Sequence, residues 1–131
     1  MKKLTAFLIG IALLSAAAPL VAHHSFAAEF DATKRLELSG TVTKVEWTNP
    51  HVWFYVDVKD PASGQVVNWG AEMGSPNSLM RSGWTRSTIK AGMVVTFNGA
   101  LAKDGSKRIN TTTVMVDGKK LGAASSEGER Q

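Results

Sequence analysis

At 131 residues the chain is a single-domain length, with 44% hydrophobic and 20% charged residues, which excludes wholesale disorder. The formal charge is +4, but two of the 15 basic residues, Lys2 and Lys3, fall in an export leader, so the mature balance against 11 acidic residues is no nucleic-acid signature. The absence of cysteine removes disulfides, thiolate metal sites and cysteine nucleophiles together.

Lys2 and Lys3 form a positive n-region, Ala6 to Leu14 a short apolar h-region, and Ser15 to Ala22 a run of small residues for a signal peptidase. Residues 1–22 are therefore read as a signal peptide and the mature protein as periplasmic. No segment of the mature chain is apolar enough to be a transmembrane helix. Cleavage after Ala22 makes His23 the new N-terminus; the rival is cleavage after Ala17, which leaves APLVAHHSF.

Residues 23–35 read as an N-terminal arm, with Phe26 and Phe30 as anchors onto the body. A first strand over Arg35–Trp47 loses its alternation near Gly40, where a bulge or bend is expected. His51 to Val58 alternates most cleanly. Val52, Phe54, Val56 and Val58 share one face, and His51, Trp53, Tyr55 and Asp57 the other. A Pro/Gly turn at 59–64 precedes a third strand over Gln65–Met73. Ser75-Pro76 looks like an N-cap with proline at the first helical position, and Gly83 like a stop, so a short helix is expected over 76–82. Met93–Asn98 and Arg108–Val116 complete five strands. Residues 119–131, poor in large apolar side chains, read as a disordered tail.

Five strands with one short helix between strands 3 and 4 predict an all-β domain over 36–118, an OB-like Greek-key barrel. A small antiparallel sandwich or a lipocalin-like fragment fits the same order.

The motifs His23-His24-Ser25-Phe26, Phe30-Asp31, Gly40-Thr41-Val42 and Trp47-Thr48-Asn49-Pro50-His51 resemble a family of small exported bacterial proteins. Trp69, Glu72-Met73-Gly74-Ser75-Pro76, Leu79 and Gly83-Trp84 continue the match. The family is the domain of unknown function numbered 6152. The resemblance implies a periplasmic address and a small β-barrel-like domain, and it brings no activity, substrate or site residue.

Two functional readings follow from the chemistry. The first is copper binding, for trafficking or buffering. A terminal His23 offers its amine and ring Nδ1, His24 a further imidazole, and His51 is the one histidine elsewhere. An α-amine with a pKa near ~8 yields its proton to a divalent metal at neutral pH. Three nitrogens in a T suit Cu(II), an arrangement that resembles the histidine brace of copper-trafficking proteins and copper oxygenases. The arm from His23 to Lys34 spans up to about 40 Å when extended, so reach to His51 is allowed. Met73, Met80, Met93 and Met115 are thioethers available to Cu(I), or core filler. Glu72 is a candidate carboxylate behind a metal ligand, its face left open. The bland counterpart is a solvated histidine arm and a His51 that fixes the turn after Asn49-Pro50.

The second reading is metal-free. Trp53 and Tyr55, with Trp69 from the next strand, would form an aromatic platform for an oligosaccharide or an envelope protein partner. Its bland counterpart is that these rings cap or fill the core. Arg81, Arg86 and Lys90 are too irregularly spaced to suggest an anion site. No nucleophile elbow, Walker loop, zincin or dinucleotide fingerprint occurs, and the protein is read as non-enzymatic.

Overall fold

β-branched and aromatic residues dominate the strand-forming stretches, and in the computed structural model, which describes residues 26–128, they form an all-β architecture. A one-turn helix α1 (Phe26–Glu29) leads into β1 (Phe30–Glu46). Then follow β2 (Trp53–Lys59), β3 (Val66–Glu72), a second short helix α2 (Pro76–Arg81), β4 (Val94–Ala102), β5 (Arg108–Val116) and β6 (Lys119–Gly122). A 3-10 turn at Ser126–Gly128 ends the described chain. No helix among the described residues is long and apolar enough to cross a membrane.

The strand order is β3-β2-β1-β4-β5-β6, and β3 also pairs in parallel with β5. The pairings therefore return on themselves, from β1 through β2, β3, β5 and β4 to β1 again. Closure depends on β1, whose 17 residues serve two neighbours. Residues up to Thr41 pair with β4, and residues from Thr41 onward pair with β2. The changeover sits at Gly40, where a Cβ would lie 2.2 Å from the carbonyl oxygen of Asp57. Only glycine lets the two backbones approach so closely. A register shift between Val42 and Lys44 adds the bend expected of a strand shared in this way.

Inside the ring, Val52, Phe54, Val56 and Val58 are buried, as their alternation predicts. Phe54 meets Phe97 of β4 edge-on, with centroids 5.3 Å apart. α2 closes one end. Ser75 Oγ accepts from the Ser78 amide, Pro76 occupies the first turn, and Leu79 is buried. Gly83, at φ +90°, donates to Met80 O, and Trp84 N–H reaches back to Leu79 O. This six-to-one and five-to-two closure stops the helix where the glycine predicts.

Two boundaries differ from the sequence reading. The arm is shorter, because β1 begins at Phe30, whose buried ring stacks with that of Phe26 at 5.9 Å. The segment read as a disordered tail instead carries β6 and continues into Ala123, which is fully buried. Gly74 N–H donates to Ala123 O, Ala123 N–H to Thr112 O, and Trp84 Nε1 to Gly122 O. The approach of this segment leaves no room for a side chain at Gly74. A Cβ on Gly74 would stand 2.3 Å from Ala124 O. Small residues are buried by backbone contact, a signal that hydropathy does not carry. The expected signal peptide, residues 1–22, lies outside the described residues.

Gly40→Ala is expected to destabilise the protein by more than about 2 kcal/mol in urea unfolding, because two strand backbones must separate. Gly122→Ala, with no atom within 4 Å of its Cβ position, is expected to stay within about 0.5 kcal/mol. Equal costs at the two sites would disprove the close approach at Gly40.

Candidate functional site

The outward residues of β2 and β3 are set by their register. Trp53 faces Glu72, Tyr55 faces Gly70, and Asp57 faces Asn68. Because side chains alternate, these pairs share the outer face, whereas Trp69, opposite Val56, turns into the core. The structure therefore brings Trp53 and Tyr55 together and separates Trp69 from them. The first two rings stack with centroids 6.4 Å apart and 19° between planes. Trp69 is 8% exposed, and Lys107 Nζ lies 5.3 Å from its ring centre. The three-ring platform expected from sequence is corrected to a two-ring one, because the hairpin register puts Trp69 on the opposite side of the sheet.

Gly70 makes the floor of this platform. A Cβ there would touch the Trp53 and Tyr55 rings, both at 3.5 Å, and the Arg108 side chain at 3.7 Å. The rings lie down on the glycine and remain half-buried. Arg108 borders them and is held in place. Its guanidinium bonds to Asp104 and Ser106 and lies over the Phe30 ring at 6.0 Å. On the far side Tyr55 donates to Glu46 Oε2 at 3.1 Å, and Lys44 pairs with Glu46 while lying 5.5 Å from the Tyr55 ring centre. Burial, and then the bond to Glu46, push the Tyr55 phenol above its ordinary value. Lys44 and Tyr55 hold Glu46 below its own.

His51 lies two residues before Trp53, past a cis Asn49–Pro50 bond, and so on the same outer face. Its Nδ1 is 2.6 Å from Oε1 of Glu72, a residue only 4% exposed. Burial pushes Glu72 up, His51 pulls it back down, and the charge of Glu29 on α1 pushes it further up. A histidine that bonds a carboxylate through Nδ1 presents its other ring nitrogen, Nε2, as the ligating atom, the arrangement that orients metal-binding histidines elsewhere. The pairing of His51 with Glu72 is the main feature that the sequence reading left open. The register of the β2–β3 hairpin, which sets Trp53 against Glu72, is the signal that reveals it.

Among the described residues no three His, Asp or Glu side chains gather as a metal cluster. His23 and His24 lie outside the described residues. Of the methionines, Met73 is core, whereas Met80 and Met115 are exposed on α2 and β5. Trp84 is core as well, its Nε1 satisfied by Gly122 O.

Residues 11–111 match a family model described as a family of unknown function, DUF6152. No curated protein matches the chain.

Since the protein has one tyrosine, ultraviolet titration reports Tyr55 alone. Its midpoint is expected above the ordinary value of about 10. A phenol that keeps its proton longer when folded contributes stability below the unfolded value, and that contribution fades as pH rises through the folded value. Glu46→Gln is expected to lower the midpoint part of the way, since burial remains. A midpoint that does not move in that variant would show that the bond to Glu46 is absent.

Proposed function

The chain belongs to this family of unknown function, and from the setting of His51 we propose that the protein is an exported, non-enzymatic periplasmic binding protein that takes up copper. In this reading the fold is OB-like, a five-stranded Greek-key barrel with α2 between β3 and β4. Support comes from the circle of pairings β1–β2–β3–β5–β4–β1 and from the parallel β3–β5 contact.

The observation that carries the copper reading is the 2.6 Å contact from His51 Nδ1 to the buried Glu72 carboxylate. A carboxylate bonded to one ring nitrogen fixes the ring and leaves the other, Nε2, as the ligating atom. His51 alone is one donor, and the remaining nitrogens would be those of His23 and His24. Sequence position favours this supply. His24 stands two residues before Phe26, where α1 begins, and the charge of Glu29 on α1 acts on Glu72. Trafficking or buffering suits a site built from one anchored imidazole and a terminal arm, and it requires neither a substrate pocket nor an electron supply.

Protein recovered from the periplasm is expected to have a mass starting at His23 and to retain one Cu(II) against a competing chelator in native mass spectra. His51→Ala is expected to lose that copper, and Glu72→Gln to weaken it by about 10- to 100-fold. One alanine placed before His23 is expected to weaken it as well. A chain starting at Ala18, or copper held equally well by His51→Ala, would refute the site.

A second reading rests on the stacked, half-buried Trp53 and Tyr55 rings over Gly70. A flat apolar surface bordered by Arg108 and Lys44 suits stacking against the face of a sugar ring or a side chain of an envelope protein. Trp53→Ala and Tyr55→Ala would then abolish binding of an oligosaccharide or envelope partner, while His51→Ala leaves it intact. The reverse pattern would remove this reading.

A further inference from the structure

At the end of β2 remote from His51, the ring of strands lacks part of its wall. β3 runs from Val66 to Glu72, but its parallel pairing with β5 covers only Gly70 to Glu72. The direction of the backbone groups along β3 follows from two bonds. Gly70 N–H donates to Lys107 O, away from β2, whereas Met73 N–H donates to Val52 O, toward the β2 side. Backbone groups alternate between the two edges of a strand, so the N–H and C=O of Val66 and Asn68 point the same way as those of Gly70. Among the described residues no strand pairs with them there. Val66 is 62% exposed.

Beside this edge is a hollow of about 190 Å3. Its apolar surface is made by Leu38, Val58, Val67 and Trp69, and Lys59 and Lys107 stand at its rim. Val67 and Trp69 are inward-facing residues of β3, and they line the hollow because no strand among the described residues stands next to that part of it. The unpaired edge and the hollow thus have one cause. One added strand would satisfy both, bonding to Val66 and Asn68 while placing a side chain against Trp69.

We propose that this gap is a docking site for an extended segment of a partner protein, acidic with an apolar side chain at its centre. The apolar part follows from the hollow, and the acidic part from its rim. Asp60, the one carboxylate among the lining residues, is held anionic by the Ala62 amide at 2.8 Å and feels the charge of Lys107, so the two lysines leave the rim with one net positive charge. Lysines beside an open edge also disfavour pairing with another copy of the same edge, so they select the partner as well as attract it. The site is distinct from that of the copper reading and does not depend on it.

The test is titration of the isotopically labelled protein with the synthetic peptide acetyl-Glu-Val-Glu-Leu-Glu-Val-Glu-amide, followed by backbone NMR. Binding is expected to shift the Val66 and Asn68 amides and protect them from hydrogen exchange. Val66→Pro removes an N–H that faces away from β2, at the first strand position, where proline is tolerated. It is expected to weaken binding by about tenfold or more while leaving the thermal midpoint near that of the parent. Lys107→Glu is expected to weaken it comparably. The same peptide N-methylated at alternate residues should not bind to the unaltered protein, a control independent of any variant's folding. Absence of saturable binding, protection elsewhere with Val66 and Asn68 unchanged, or equal binding of the lysine-for-glutamate peptide would overturn the proposal. Dimerisation through the Val66 edge would overturn it too, by assigning the gap to a second copy.

Discussion

Every other feature of this molecule depends on one strand being able to change neighbours. β1 carries pairing to β4 along its first part and to β2 along its last, and the exchange occurs where Gly40 passes against the backbone of Asp57. A side chain there would hold the strands apart and open the circle. With the circle closed, the inward residues of all participating strands share one core, and Phe54 and Phe97 meet across it. A core of this kind is dense enough for small volume changes to matter.

Closure also dictates what is left outside. Once Val56 and Trp69 are committed inward, the register leaves Trp53, Tyr55, Gly70 and Glu72 on one continuous outer surface. Glycine at the centre allows both rings to lie flat, and a buried carboxylate at the edge holds the imidazole of His51. A polar group so nearly removed from water requires a hydrogen-bonded partner, and His51 supplies it. The copper and aromatic readings therefore use neighbouring parts of the same wall. They differ in whether the imidazole or the rings meet the ligand.

The two ends of the ring are unlike. At the His51 end, α2, Trp84 and the Ala123–Ala124 segment fill the opening with backbone bonds and small residues. At the other end β3 extends past the beginning of β5, and among the described residues no strand pairs with that part of its outer edge, which lies beside a hollow. Open edges usually carry protection against unwanted pairing, and the rim lysines fit that role as well as a selective one.

The local elements were legible in the sequence. The alternation of Val52, Phe54, Val56 and Val58 identified the inner face of β2, and Ser75-Pro76 with Gly83 marked both ends of α2, because each signal lies within one element. The irregular phase near Gly40 foretold the bend for the same reason. The facing of Trp69, the partnership of His51 with Glu72, and the burial of Ala123 were decided only by tertiary structure. Each depends on register or on the approach of segments far apart in the chain, and a single strand's periodicity contains neither. The third strand, QVVNWGAEM, reads equally well with tryptophan on either face; its pairing of Trp69 with Val56 makes the choice.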